Sequence, residues 1–209
     1  TIFNNSLISN FDDGIYLSLG GDHNVSNNNI SGNTGGSGRG LYNYRRLTGT
    51  NVFENNIFST NGNYGIRISG EATYGDAENY ILRNNSVSDT AGIGYGIALT
   101  NSNNHTLVNN TIYDNAVTGI FVGATGTPAS NCTIEDNDIY ETGSGQTQDQ
   151  GIYLSSSYGN VIKNNNIYDH TIVTGIRAEG EAIIDTIIYN NNLTGNKDGI
   201  YLKRSTNIN

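Results

Sequence analysis

The stretch "VIKNNNIYDH" at residues 161–170 has near copies in "TIEDNDIYET" at 133–142 and "TLVNNTIYDN" at 106–115. These are three instances of one pattern that runs along the whole chain. An Asn is preceded three residues earlier by an aliphatic residue and followed two residues later by another. Aligned on that rule, the Asn falls at Asn5, Asn28, Asn55, Asn85, Asn110, Asn137, Asn165 and Asn191. The upstream row is Ile2, Val25, Val52, Leu82, Leu107, Ile134, Ile162 and Ile188, and the downstream row is Leu7, Ile30, Ile57, Val87, Ile112, Ile139, Ile167 and Leu193. Each repeat holds a second anchor, a Gly before an aliphatic, from Gly14-Ile15 and Gly40-Leu41 to Gly175-Ile176 and Gly199-Ile200. A fixed motif recurring every 23 to 30 residues is the signature of a repeat architecture, and it has to be read before any single segment.

The spacings convert to geometry. In "GIYLS" at 151–155, Ile152 and Leu154 share one face and Tyr153 takes the other, the period of a strand. The triplets flanking each Asn also read as short strands rich in Ile, Thr and Tyr. The polar pair between them is a bend, where Asn tolerates left-handed backbone angles. One repeat is then three short strands and three turns. No such coil can bury its apolar face alone, so the coils must stack, with equivalent residues about 4.8 Å apart. The eight asparagines become a column of like amides bonded one to the next. Residues 1–209 are thus expected to form a single all-β domain of about eight coils. Because the chain opens and closes in mid-pattern, a fragment of a longer chain with further domains is expected.

Composition removes other classes. The net charge of −9 opposes nucleic acid, whose phosphates require clustered cations. No run approaches the roughly 18–20 apolar residues needed to span a bilayer, so no membrane insertion is expected. The lone Cys132 cannot form an internal disulfide. Leucine-rich repeats share the period and the aliphatic-x-x-Asn-x-aliphatic core, but their remaining segment is often helical, whereas here it is Gly-rich and holds the "GIYL" strand.

The paired "NNxI" and "GIYL" elements, as in "GIYLSSSYGNVIKNNNIYDH" at 151–170, resemble the right-handed parallel β-helix repeats of the pectate-lyase-like superfamily, in particular its NosD-like or carbohydrate-binding and sugar hydrolase repeats. The resemblance covers essentially the whole chain. It implies a right-handed, single-stranded parallel β-helix, secreted or at the cell surface, whose partner is a polysaccharide or cell-surface glycan lying along the outside of the "GIYL" strand. It further suggests a polysaccharide-active hydrolase, lyase or epimerase, although the polygalacturonase and mannuronan epimerase motifs are not complete here. The alternative is a non-catalytic structural stalk, adhesin or surface-layer module.

Stacking lets the outer surface be read in columns. The position after each Gly-aliphatic pair gives Tyr16, Tyr42, Arg67, Ala98, Phe121, Tyr153, Arg177 and Tyr201, and two residues on lie Tyr44, Glu179 and Lys203. Aromatic faces and forked cations are what pyranose rings and their hydroxyl or carboxylate groups require. Solvent-facing strand positions also favour Tyr for reasons unrelated to a ligand. A second column, Asp89, Asp114, Glu141 and Asp169, accompanies Tyr113, Tyr140 and Tyr168. Its carboxylates suit either Ca²⁺, held by Asp114, Glu141 and Asp169, or acid and base work on a glycosidic bond; turn positions also favour Asp. The expected ligand site lies over the C-terminal coils. Tyr153, Glu179 and Lys203 are its binding groups there, Arg177 neutralises charge, His170 or Tyr201 transfers a proton, and Asp169 with Glu141 supplies acid chemistry or cation binding. The rival site is Tyr42, Tyr44, Arg45, Arg46 and Arg67.

Overall fold

The computed structural model describes residues 1–18, 20–45, 49–71, 75–123, 128–143, 148–206 and 208. Its strands wind into a right-handed solenoid in which every strand of one coil pairs in parallel with its counterpart in the next. The first sheet stacks eight strands, from Ile2–Phe3 and Asn24–Ser26 to Val161–Lys163 and Ile187–Tyr189. The second stacks another eight, from Ser6–Ile8 to Asn192–Thr194. The third carries the longer Gly-aliphatic strands, among them Arg39–Tyr44, Tyr64–Ser69, Tyr95–Thr100, Thr118–Gly123, Gln150–Ser155, Thr174–Ile184 and Asp198–Thr206. The core is the interior of this prism, filled by rows such as Leu82, Leu107, Ile134 and Ile162, or Ile66, Ile97, Ile120 and Ile152, all buried.

Each coil turns its corners with the same two-residue device. The first corner places Asn4, Asn27, Asn55, Asn84, Asn109, Asp136, Asn164 and Asn190 at φ near +55°, a region that short polar side chains tolerate best among non-glycine residues. The next residue turns inward and joins the amide ladder. Asn110 Nδ2, for example, donates to Asn137 Oδ1 at 2.9 Å, and Asn137 Nδ2 to Asn165 Oδ1 at 3.0 Å. The doubled Asn of the repeat therefore has two jobs, one per residue.

One member of the expected ladder is displaced. Asn28 Nδ2 donates to Asn56 Oδ1, and Asn56 Nδ2 to Asn85 Oδ1, each at 3.0 Å, while Asn55 is the exposed left-handed residue beside it. The register agrees, since Val25 pairs with Phe53. Phe53 and Phe58 are fully buried, whereas Ile57 is 51% exposed. The segment "NVFENNIFS" fits the repeat in two registers one residue apart, and such a slip exchanges inner and outer faces. Two phenylalanines bury more apolar area than Val and Ile, and that register wins.

A second ladder occupies the next corner, five residues after the first. Asn10 donates to Asn33 and Asn33 to Asn61; Thr90 Oγ1 donates to Asn115, and Asn115 to Gln148 Oε1 at 3.1 Å. His170 and Asn196 continue it, with His170 N donating to Asn196 Oδ1. At the third corner Asn51, His105 and Asn160 accept the backbone N–H groups of His23, Tyr80 and Cys132. The Gly column fits against the second ladder. A Cβ on Gly119 would lie 2.7 Å from Gly151 O, 2.9 Å from Gln148 Nε2 and 2.9 Å from Ile139 Cγ2. Only a missing side chain lets the third sheet start this close to the ladder.

Candidate functional site

The outer column of the third sheet is continuous. Tyr16 pairs with Tyr42, Tyr42 with Arg67, Arg67 with Ala98, Ala98 with Phe121, Phe121 with Tyr153, Tyr153 with Arg177 and Arg177 with Tyr201. One side chain per coil therefore stands along a single line. Tyr16 and Tyr201 are exposed, Phe121, Tyr153, Arg67 and Arg177 are half-buried, and Tyr42 and Ala98 are buried. Tyr42 is not an open platform: the Arg39 guanidinium lies 3.7 Å from its ring centroid and that of Arg67 5.3 Å. Arg39 is itself fixed by two hydrogen bonds to Asp13 at 2.6 and 2.9 Å.

Toward the C-terminal end, Arg177 sits between the rings of Tyr153 and Tyr201, 5.3 and 5.6 Å from their centroids. Its guanidinium is ion-paired to Glu179, as is the Lys203 ammonium. Lys203 and then Arg177 hold the Glu179 carboxyl down at about 2. The side chains that the sequence groups there do meet, but chiefly each other, and Arg177 is already committed to a carboxylate. Arg177 and Tyr201, with Val173, Thr174 and Asp198, line a depression of about 230 Å³. At the other end Tyr44 lies under Arg45, which is paired to Glu71; Arg46 falls outside the described residues.

His170 does not close an edge of this face. It is fully buried, its Nδ1 lies 3.0 Å from Gln148 O, and burial lowers its pKa. It occupies a ladder position where a polar side chain must satisfy the neighbouring coil. Asp89, Asp114 and Asp169 are likewise explained by the corner, where they take the left-handed residue at φ 53°, 51° and 65°. Asp114 accepts the Thr142 N–H at 2.7 Å and the Thr142 hydroxyl at 2.5 Å. Glu141 accepts the Gln148 N–H at 3.1 Å, and burial raises its pKa. Glu141 and Asp169 do share a cavity of about 320 Å³ with Thr142, Gly143, Thr171 and Ile172. The Ca²⁺ site expected from Asp114, Glu141 and Asp169 is not assembled: among the described residues no three His, Cys, Asp or Glu side chains converge as a ligand set, and the Asp114 carboxylate is taken up by Thr142 of the next coil.

On the second sheet Tyr113, Tyr140 and Tyr168 stack almost parallel, with centroids 5.2 and 4.9 Å apart and planes within 7°. Tyr140 is covered on both faces and Tyr113 and Tyr168 on one each, so the stack offers a sugar chiefly edges and hydroxyls.

A right-handed parallel solenoid with polar ladders inside and an aromatic–arginine column outside is the class these features define. The chain matches the family model for a right handed beta helix region over residues 1–74 and 74–209, and it belongs to that family. Among solved structures it is similar to the periplasmic alginate epimerase AlgG, with a TM-score of 0.68 at 15% identity over 94% of this chain and 46% of that one. It is also similar to the A-module of the Azotobacter vinelandii mannuronan C-5 epimerase AlgE4, with a TM-score of 0.57 at 16% identity over 93% of this chain and 58% of that one. A third likeness is to the enzymatically active domain of bacteriophage CBA120 tailspike protein 2, at 0.55 and 13% over 80% and 24%. The chain thus spans about half the length of either epimerase structure. At these identities the likeness is one of fold. No curated protein matches the sequence.

Proposed function

We propose that this domain binds a polysaccharide along the outer face of its third sheet, outside the cytoplasm, as one part of a longer protein. The observation that carries the reading is the column from Tyr16 to Tyr201, in which an aromatic ring or an arginine stands at every coil but one, where Ala98 takes the position. Over seven steps of about 4.8 Å it measures roughly 34 Å, the span of several sugar units. Aromatic faces stack on pyranose rings and guanidinium forks bind their oxygens. Two structurally similar proteins are alginate or mannuronan epimerases by name, which supports a glycan as the ligand of such a face.

Binding is what this geometry supports best. Proton transfer needs an acid or base within hydrogen-bond reach of the ligand; His170 faces the core and Glu141 and Asp169 stand at the adjoining corner, which leaves Tyr201 as the expected proton-transfer group on this face. The second reading, a structural stalk or surface-layer module, is favoured by one observation: most cations of this face are spent on internal pairs, Arg39 with Asp13, Arg45 with Glu71, and Arg177 and Lys203 with Glu179. A glycan array with the purified protein separates the two. Saturable binding that Tyr153→Ala weakens and Tyr140→Ala, on the second sheet, leaves unchanged supports the glycan reading. Binding to no glycan favours the structural one.

A further inference from the structure

The cations of the third sheet fall into two states. Arg39, Arg45, Arg177 and Lys203 each have a carboxylate within ion-pair distance. Arg67 has none among the described residues. Its guanidinium instead lies 5.0 Å from the ring centroid of Tyr64 and 5.3 Å from that of Tyr42, and its Nε is buried with no hydrogen-bond partner. Tyr64 is backed in turn by Tyr95, whose ring stacks on it at 5.6 Å and 17°, and the Asp13-anchored Arg39 lies over the ring of Tyr42. The two rings that position Arg67 are therefore fixed by their own neighbours.

A half-buried cation normally recovers lost hydration through a carboxylate or several acceptors. Ring faces supply attraction to the charge but accept no strong hydrogen bonds, so the donors on the fork stay unsatisfied by protein. The adjacent pairs Arg39–Asp13 and Arg45–Glu71 are each neutral, which leaves the Arg67 charge uncompensated in a chain that is acidic overall. We infer that Arg67, clamped by Tyr42 and Tyr64, is a subsite for an oxyanion, a carboxylate or a sulfate, carried on a sugar ring. This rests on the glycan reading above and narrows it: the ligand is an acidic polysaccharide, and its charge is read near the third coil and not at the ion-paired Arg177. A planar carboxylate or the paired oxygens of a sulfate can accept two parallel N–H bonds from the fork, an arrangement that an ammonium cannot reproduce.

Three hexasaccharide probes test the inference by titration calorimetry: one of uronic acids, the same chain with its carboxyl groups reduced to alcohols, and the reduced chain carrying sulfate esters. The wild-type protein is expected to bind at least one charged probe about tenfold or more tighter than the neutral one, the equivalent of about 1.4 kcal/mol. A uronate preference identifies a carboxylate and a sulfate preference a sulfate ester. Arg67→Gln is expected to bring the charged probe to the affinity of the neutral one, Arg67→Lys to keep only part of the difference, and Arg83→Ala, on the first sheet, to change nothing. Equal wild-type affinity for charged and neutral probes overturns the inference while leaving the glycan reading intact. So does an Arg67→Gln or Arg67→Lys protein with native circular dichroism and an undiminished preference. Failure of all three probes to bind overturns it too, and binding to no glycan on the array overturns both readings.

Discussion

Asn137 shows what one residue of the repeat contributes. Its Oδ1 accepts from Asn110 N and Nδ2, and its Nδ2 donates to Leu107 O, Glu135 O and Asn165 Oδ1. Asn137→Leu leaves those buried groups unpaired and is expected to cost about 1–3 kcal/mol, read as a lower denaturant midpoint with an unchanged slope; an unchanged midpoint contradicts an inward ladder. His105 does the same work at the third corner, and there the residue type adds a pH dependence. Its Nδ1 accepts the Tyr80 N–H at 3.2 Å, so the ring must be neutral, and burial lowers its pKa from 6.5 to about 3. As pH drops below about 6.5 the unfolded chain takes up a proton that the folded one refuses. The stability from this site is full above that value and lost toward pH 3, by about 1.4 kcal/mol per pH unit. Burial-raised Glu141 and Asp149 act in the opposite direction, so the comparison to make is with His105→Asn, the residue found at positions 51 and 160 of the same corner. That variant is expected to lose less stability between pH 6.5 and 4 than the wild type, and parallel profiles would contradict a neutral buried His105.

At the scale of the element, the repeat was legible where one residue type is demanded and obscure where several will do. Every first-corner ladder position needs an amide that both donates and accepts along the stack, so Asn recurs and the period shows. The second ladder needs only a polar atom that reaches the adjacent coil, and Asn, Thr, Gln and His all serve, which hides the column. At one coil the ladder residue comes eleven positions after Asn137 and not five, at Gln148. At the third coil an aliphatic-only pattern points to Asn55, whereas the buried aromatic pair Phe53 and Phe58 sets the register that places Asn56 in the ladder. The Gly column was visible as a pattern, but its reason, contact with the second ladder, was not. That reason makes a prediction with an internal control. Gly96→Ala puts a Cβ 2.7 Å from Gly119 O and 2.8 Å from Asn115 Nδ2 and is expected to destabilise by about 1–3 kcal/mol. Gly199→Ala meets nothing closer than Leu193 Cδ1 at 3.8 Å and is expected to leave the melting temperature nearly unchanged. Equal effects would mean that the column does not mark a tight approach.

At the scale of the molecule, the outer column of the third sheet could be read from sequence because strand alternation and the Gly anchor fix which side chains face out. What could not be read is how those side chains spend their charge. Arg177 and Glu179 are two residues apart on one strand and neutralise each other, while Arg67 lies against Tyr42 and Tyr64 with no carboxylate in ion-pair distance among the described residues. His170 lay in the same motif as Asp169 but points the other way, since consecutive residues at a corner divide between surface and interior. The solenoid thus has three outer faces of different character: a first sheet with the pairs Glu54–Arg83 and Glu135–Lys163, a second with a self-covered tyrosine stack, and a third with the aromatic–arginine line. The claim that only the third is a ligand face is tested most directly by hydroxyl-radical footprinting with and without a glycan that the array identifies. Protection of Tyr64, Tyr153 and Tyr201, with Tyr113, Tyr140 and Tyr168 labelled equally in both states, is the result predicted; protection of the second-sheet tyrosines with the third-sheet ones unchanged would contradict it.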